Sequence, residues 1–273
     1  MNYRLLLEYD GTGYAGWQAQ KNARSIQGTL REAAERVTGG EVDLQGAGRT
    51  DAGVHALGQV AHLRCPRRLE PRRLQNDLND LLPATINVLS VREAPEGFHA
   101  RHDAKWRAYV YVISRRRSAF GKRYLWWVKD RLDTDRMAAA CALFKGLHDF
   151  GAFADKRRDK NLSPLVLIHD VGLARRGDLL LLSFVASHFL WKMIRRMVGA
   201  VVEVGRGKMG SGDLEAALHG GAVDLAPLTA PPSGLFLAAV GYEGEGGWER
   251  VRFSLPVPGL GWFQGVPVNG AEG

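Results

Sequence analysis

The sequence predicts an α+β protein made of two βαββαβ halves, and three observations carry that reading. Short apolar strands and helical stripes follow the order β-α-β-β-α-β up to about Arg92. The same order returns after residue 104. A hydrophobic fraction of 45% with 24% charged residues is ordinary for a chain that buries a core, and 273 residues suffice for one large domain or two modest ones.

Taken in order, Arg4-Leu-Leu-Leu-Glu-Tyr9 reads as a strand and Gly11-Thr-Gly-Tyr-Ala-Gly-Trp17 as a loop. Ser25 is a good N-cap for a helix over Ile26–Thr38, with Ile26, Leu30, Ala34 and Val37 on one face and Gly39-Gly40 as its stop. Strands follow near Val42–Ala47 and Gln59–Cys65. Pro71 fits the first turn of a second helix, Leu74, Leu78 and Leu81 form its stripe, and Pro83 stops it. Ile86–Arg92 completes the ferredoxin-like pattern.

In the second half, Trp106–Ile113 alternates as a strand and Thr134–Lys145 is helical. Leu165–Ala174 and Asp178–Ala186 form a hairpin turning at Arg175-Arg-Gly177. Phe189–Val204 is an amphipathic helix whose apolar stripe is flanked by Arg195 and Arg196, one on each side. Leu235–Tyr242 closes the half as a strand. The expected organisation is therefore 1–104, 105–243 and an extra tail, 244–273, rich in Gly, Pro and aromatics, which could form a hairpin or cover a sheet edge.

Composition narrows the function. No apolar run approaches the length of a membrane helix, and the first residues read straight into a strand, so a cytoplasmic protein without membrane attachment is expected. Two cysteines, Cys65 and Cys141, allow one disulfide and no cysteine zinc site. His55 and His62 lack a zinc-ligand pattern, so no metal is expected. The Gly11–Gly16 loop lacks the Lys-Ser/Thr of a phosphate loop. No Ser or Cys stands in a nucleophile-elbow context.

The net charge of +8 is concentrated. Between Arg101 and Arg131 lie ten basic residues against two acids, a surplus equal to that of the whole chain. Trp106, Tyr109, Tyr111, Tyr124, Trp126 and Trp127 are interleaved with them. A second cluster is Arg64, Arg67, Arg68, Arg72 and Arg73, and a third is Lys156-Arg-Arg-Asp-Lys160. Cations neutralise phosphates and aromatic faces stack on bases, so the three clusters together favour a nucleic-acid partner. Arg101, Lys105 and Arg107 open the first cluster and are expected to bind substrate.

The segment Gly46-Ala-Gly-Arg-Thr-Asp-Ala-Gly-Val-His-Ala56 carries the chemistry. Asp51 follows Arg49, which favours an ionised carboxylate, and the glycines allow a sharp turn and close approach. Spacing alone supports a displayed reactive acid and a plain surface turn equally.

This segment resembles the catalytic signature of the tRNA pseudouridine synthase A family. The resemblance extends in family order through Glu8–Gln18, Ser25–Leu30, Phe98-His-Ala-Arg101, Tyr109-Val-Tyr111, His148–Phe153, Phe189–Gly199 and Ala230–Leu235, covering about residues 1–243. It implies the pseudouridine synthase fold, with two α/β halves, joined antiparallel sheets and a central catalytic cleft. It implies isomerisation of uridine at tRNA positions 38, 39 and 40 by one essential aspartate, a homodimer with tRNA across both subunits, and no metal or organic cofactor. By position, Asp51 is the nucleophile or base, Arg49 engages the flipped nucleotide, Arg195 pairs with the acid, and Tyr109 stacks on the target base, with Tyr111 as its competitor. Ser163–Ile168 departs from the family in lacking an arginine before the strand, and the tail after about Gly244 has no family counterpart. An RNA-binding module without catalysis is the other class considered, but the RNA-recognition aromatic signature is absent. A nuclease using Asp51 is a third.

Overall fold

Alternation in the first strand sets the architecture. In β1 (Asn2–Tyr9), Tyr3, Leu5, Leu7 and Tyr9 are buried while Arg4, Leu6 and Glu8 are only partly covered. The computed structural model describes residues 1–157, 163–221, 223–248, 252–255 and 262–264. Internal packing divides the chain into two units, Met1–Lys105 with Phe236–Gly246, and Trp106–Leu235 with the residues from Gly247 onward.

In the first unit, α1 (Ile26–Thr38) starts where Ser25 Oγ accepts the Gly28 amide, 3.2 Å away, and ends at Gly39. Its buried face is broader than the apolar stripe, because it includes Gln27, whose side chain donates to the Leu44 carbonyl at 2.7 Å. Strands β2 (Asp43–Gly46) and β3 (His55–Arg64) pair antiparallel, with Gly46 opposite Ala61. Helix α2 (Pro71–Leu81) has Pro71 in its first turn, and Glu70 caps it by accepting the Arg72 and Arg73 amides. Leu74 and Leu78 are fully buried, each worth about 1.5–3 kcal/mol of stability, but Leu81 is exposed and Leu82 takes its place in the core. Strand β4 (Ile86–Ala94) pairs with β1, and β1 with β3, both antiparallel. Tyr3 Oη donates to the Leu69 carbonyl at 2.8 Å and accepts the Leu69 amide at 2.7 Å, tying β1 to the segment that leads into α2.

The second unit starts with β5 (Trp106–Ser114), buried along its whole length. Strand β6 (Trp126–Trp127) lies parallel to β5, and α3 (Thr134–Ala142) is capped by Asp133. This helix ends before Lys145 because a turn leads directly into β7 (Gly146–Asp149). The hairpin is β8 (Leu165–Arg176) with β9 (Leu179–Ala186), and the strand order is β5-β9-β8-β7. Helix α4 (Met193–Gly205) begins later than Phe189 because Lys192 adopts a left-handed backbone, φ 63°, that interrupts the preceding turn. It is buried on nearly all sides, and a Cβ on Gly199 would sit 1.6 Å from the Leu228 carbonyl oxygen. A fifth helix, α5 (Ser211–Leu218), follows.

The strand read as the close of the second half, β10 (Leu235–Gly241), runs parallel to β3 with Phe236 opposite His55, so 236–246 pack in the first unit. The antiparallel expectation is thereby corrected: the sheets are mixed, since β10 and β6 reach their partners through crossovers rather than hairpins. In the tail, β11 (Arg252–Ser254) and β12 (Trp262–Gln264) pair antiparallel; positions 249–251, 256–261 and 265–273 lie outside the described residues, as do positions 158–160 of the third basic cluster. Both cysteines are buried and free. Among the described residues no helix is long and apolar enough to cross a membrane, and no group of three or more His, Cys, Asp or Glu is placed to hold a metal.

Candidate active site

Asp51 stands on the loop between β2 and β3, and that loop is held on every side within the first unit. The Ala47 amide donates to the Val60 carbonyl at 2.7 Å, and Gln59 Nε2 donates to the Gly48 carbonyl at 2.8 Å. Thr50 is pinned twice, by a 2.9 Å bond between its hydroxyl and that of Tyr9 and by the Trp17 amide on its carbonyl at 3.0 Å. The Val54 amide closes a turn onto the Asp51 carbonyl, with Gly53 at φ 76° in the position where a type II turn requires positive φ. The Asp51 side chain emerges half-exposed from this fixed backbone. Burial of Tyr9 pushes its phenol up to about 12, so it stays a neutral partner of Thr50.

The Gly11–Gly16 loop, set aside as a phosphate loop, is the bed of the Asp51 loop. A Cβ on Gly16 would lie 2.5 Å from the Thr50 oxygen and 3.0 Å from the Asp51 carbonyl carbon. One on Gly11 would lie 2.0 Å from the Val54 oxygen. Gly46 has a related use: a Cβ there would be 2.5 Å from the Trp17 indole, so its smallness admits a buried tryptophan and not only a ligand.

His55, Gln59 and His62 are the buried polar side chains of β3, all at most 1% exposed. His55 Nδ1 is 3.1 Å from both the Gly11 amide and Asp10 Oδ1, and its ring stacks on Phe236. His62 Nδ1 accepts the Ala100 amide at 3.1 Å. Both histidines therefore organise loops through Nδ1, while His62 Nε2 is buried without a hydrogen-bond partner.

Arg49 and Arg101 line one polar cavity of about 290 Å³, together with Arg31, Asp43, Gln45 and Gln18. Arg49 is exposed and Arg101 half-exposed. Lys105 is exposed and pairs with Glu243 at 3.2 Å. The first unit thus carries Asp51, Arg49, Arg101 and Lys105.

The second unit carries Arg107, Tyr109 and Arg195. Tyr109 is 7% exposed, with its ring edge-on to Phe189. Tyr111, its competitor, is wholly buried and donates to the Pro231 carbonyl at 2.7 Å, and burial raises its phenol far above the ordinary range, marking a core residue. Arg107, expected on an RNA-facing surface, is buried and donates to the Ser187 carbonyl at 2.8 Å. The flanking arginines of α4 differ: Arg196 is buried and donates to the Ala154 carbonyl, while Arg195 is half-buried with Nε 2.7 Å from the Ala230 carbonyl. The basic cluster also divides, with Trp106 and Tyr111 in the core and Arg117 beside exposed Trp127.

Sequence reasoning did not single out Tyr9, Thr50, Gln59 or the bed glycines; polar residues at 55, 59 and 62 within an otherwise apolar strand were the available signal. Nor did it find Asp155, which accepts from Arg157 and from Lys192 at 2.8 Å, while both cations also lie over Trp191. Hydrogen bonds from Arg157 and Lys192 hold the Asp155 carboxyl well below the usual range.

The first unit thus presents a half-exposed acid on a braced loop and a polar cavity lined by Arg31, Arg49 and Arg101. The chain matches the tRNA pseudouridine synthase family over residues 6–103 and 140–243, and it belongs to that family. It is 44% identical over 249 residues to the tRNA pseudouridine synthase A of Rhodopseudomonas palustris (strain BisA53), covering 88% of this chain and 99% of that one. It is 40% identical over 248 residues to the protein of the same name from Citrifermentans bemidjiense, covering 89% and 98%. The match ends at residue 243, where the tail begins.

Proposed function

We propose that the chain isomerises uridine to pseudouridine in the anticodon stem-loop of tRNA, at positions 38, 39 and 40, with Asp51 as the one essential carboxylate. Family membership and the relatives' names support the reaction. The observation that supports Asp51 is its bracing, with a rigid backbone on both sides of a half-exposed acid.

The reaction breaks the N1–C1′ bond, turns the uracil and joins C5 to C1′. The C5 hydrogen leaves as a proton and N1 regains one, so no atom is gained and no cofactor is required. Asp51 can attack C1′, add to C6, or take the C2′ proton. Each route needs the target base out of its stack, and family likeness assigns Arg49 to engage the displaced nucleotide. Arg101 and Lys105 are assigned to phosphates, while Arg107 acts through the backbone it holds. Family likeness assigns Arg195 as the cation that keeps the acid ionised and Tyr109 as the base-stacking aromatic. The working form is a cytoplasmic homodimer with tRNA across both subunits.

Asp51→Ala tests this. The variant retains tRNA binding and forms no pseudouridine, scored by carbodiimide labelling because the isomerisation leaves mass unchanged. Wild-type protein that leaves every anticodon-arm uridine of a competent tRNA unmodified overturns the reading.

A further inference from the structure

The turn that carries Arg101 is held by imidazoles. His62, on β3, accepts the Ala100 amide at Nδ1, 3.1 Å away. His99 Nδ1 lies 3.2 Å from the Arg101 amide and 3.3 Å from that of His102. Three successive backbone donors thus depend on imidazole nitrogens that carry no proton. Ala100 is wholly buried and its carbonyl accepts from Tyr242 Oη at 2.7 Å, so both its polar groups are fixed by side chains from other elements. The residue next to it, Arg101, shares the polar cavity with Arg49.

We propose that His62 is a positioning residue for substrate RNA: its neutral ring fixes Ala100 and thereby presents Arg101 beside Arg49. This rests on the RNA-isomerase reading above. Asp43 contributes a nearby charge rather than a hydrogen bond, since His62 Nε2 is buried with no hydrogen-bond partner. It lies on β2, lines the same cavity, and puts Oδ2 3.5 Å from His62 Nε2, the nitrogen that carries the proton when Nδ1 accepts. Protonating His62 would set an N–H against the Ala100 N–H and remove the bond.

The charged surroundings favour the neutral ring. Burial lowers the His62 pKa first, followed by His99, whose ring centroid is 4.6 Å away, and Arg64; Asp43 opposes them. His99 is likewise lowered by burial and by His102 and Arg64, against Asp103 and Asp43. Arg4, opposite His62 on β1, is engaged by Glu245 and lies over the Tyr242 ring. Both histidines therefore titrate below the ordinary imidazole value of 6.5. Their hold on the turn is complete at neutral pH and is lost as pH falls.

The test measures the Kd for unmodified tRNA, and the single-turnover rate of pseudouridine formation at saturating protein, from pH 5.5 to 8. His62→Leu removes the acceptor and weakens binding about tenfold at neutral pH, the factor that one buried hydrogen bond of ordinary strength supplies, with the saturating rate changed less than twofold. His62→Asn keeps an oxygen where Nδ1 stood, restores binding, and weakens less on acidification than wild type. In an Arg101→Ala background, His62→Leu adds little, because both changes remove the same contact. Overturning results are His62→Leu binding like wild type, an effect on the saturating rate alone, full additivity with Arg101→Ala, or His62→Asn matching the acid-side loss of wild type. If His62→Leu does not fold, the pH comparison of His62→Asn with wild type decides. A wild-type protein that forms no pseudouridine sinks the isomerase reading instead, a distinguishable failure.

Discussion

The glycines beneath the Asp51 loop separate two physical effects that one substitution usually mixes. Gly13 has φ 81° and no atom within 4 Å of a Cβ; Gly11 has no positive φ but a Cβ 2.0 Å from the Val54 oxygen; Gly16 has both, φ 94° and a Cβ 2.5 Å from the Thr50 oxygen. A left-handed backbone costs an L-residue roughly 1–2 kcal/mol. Overlap with backbone, which has no rotamer to yield, adds about 1–3 kcal/mol or a displacement of the loop. Gly13→Ala should therefore lose about 1–2 kcal/mol of stability with catalysis intact. Gly11→Ala and Gly16→Ala should push the peptide groups that position Asp51. A shift of about 1 Å costs on the order of 100-fold in rate. Thermal unfolding measures the first effect, and single-turnover pseudouridine formation at saturating protein measures the second. A Gly16→Ala protein that is folded and as fast as wild type would refute the idea that this bed positions the acid, as would a Gly13→Ala protein slowed equally.

Two further perturbations probe the second unit. Tyr111→Phe removes the 2.7 Å bond to the Pro231 carbonyl and should cost about 0.5–1.5 kcal/mol by denaturant unfolding while leaving the saturating rate unchanged; a large rate loss would restore Tyr111 as the site tyrosine. Asp155→Asn should lower the unfolding temperature at pH 7, because the carboxyl is held below its ordinary 3.8 by Arg157 and Lys192. That stabilisation is present above the unfolded-state value and lost as pH falls through the lower folded one, so the gap to wild type should narrow below about pH 4; a gap that persists there would show that the pair is not its source.

The elements legible in the sequence were those whose signals are local. Ser25 and Gly39 mark α1, and Pro71 marks the start of α2, because caps and fixed dihedrals act within a few residues. Strand β10 was assigned to the second half because its parallel pairing with β3 is a long-range choice that no neighbouring residue records. The start of α4 is not legible because it depends on Lys192 taking a positive φ, which a lysine rarely does and no neighbouring residue signals. Asp51, Arg49 and Arg101 were visible by type, but not that the latter two share a cavity. The burial of Arg107 is not legible in the sequence, because charge says nothing about the Ser187 carbonyl waiting just past the end of the paired strand.

One strand ties the loops of the first unit together. Burying a polar side chain is costly unless it is hydrogen-bonded, and β3 buries three. His55 meets the Gly11 amide, Gln59 the Gly48 carbonyl and His62 the Ala100 amide. Each bond fixes a backbone group of a different loop: the glycine bed, the Asp51 loop, and the Arg101 turn. Under the proposed function, a reaction that uses one carboxylate and no cofactor would place its demand on geometry. The placement of Asp51 relative to Arg101 would then be set by the spacing of Gln59 and His62 along a single β-strand. Substitutions on β3 should accordingly divide by target, those at Gln59 acting on the rate at saturation and those at His62 on affinity.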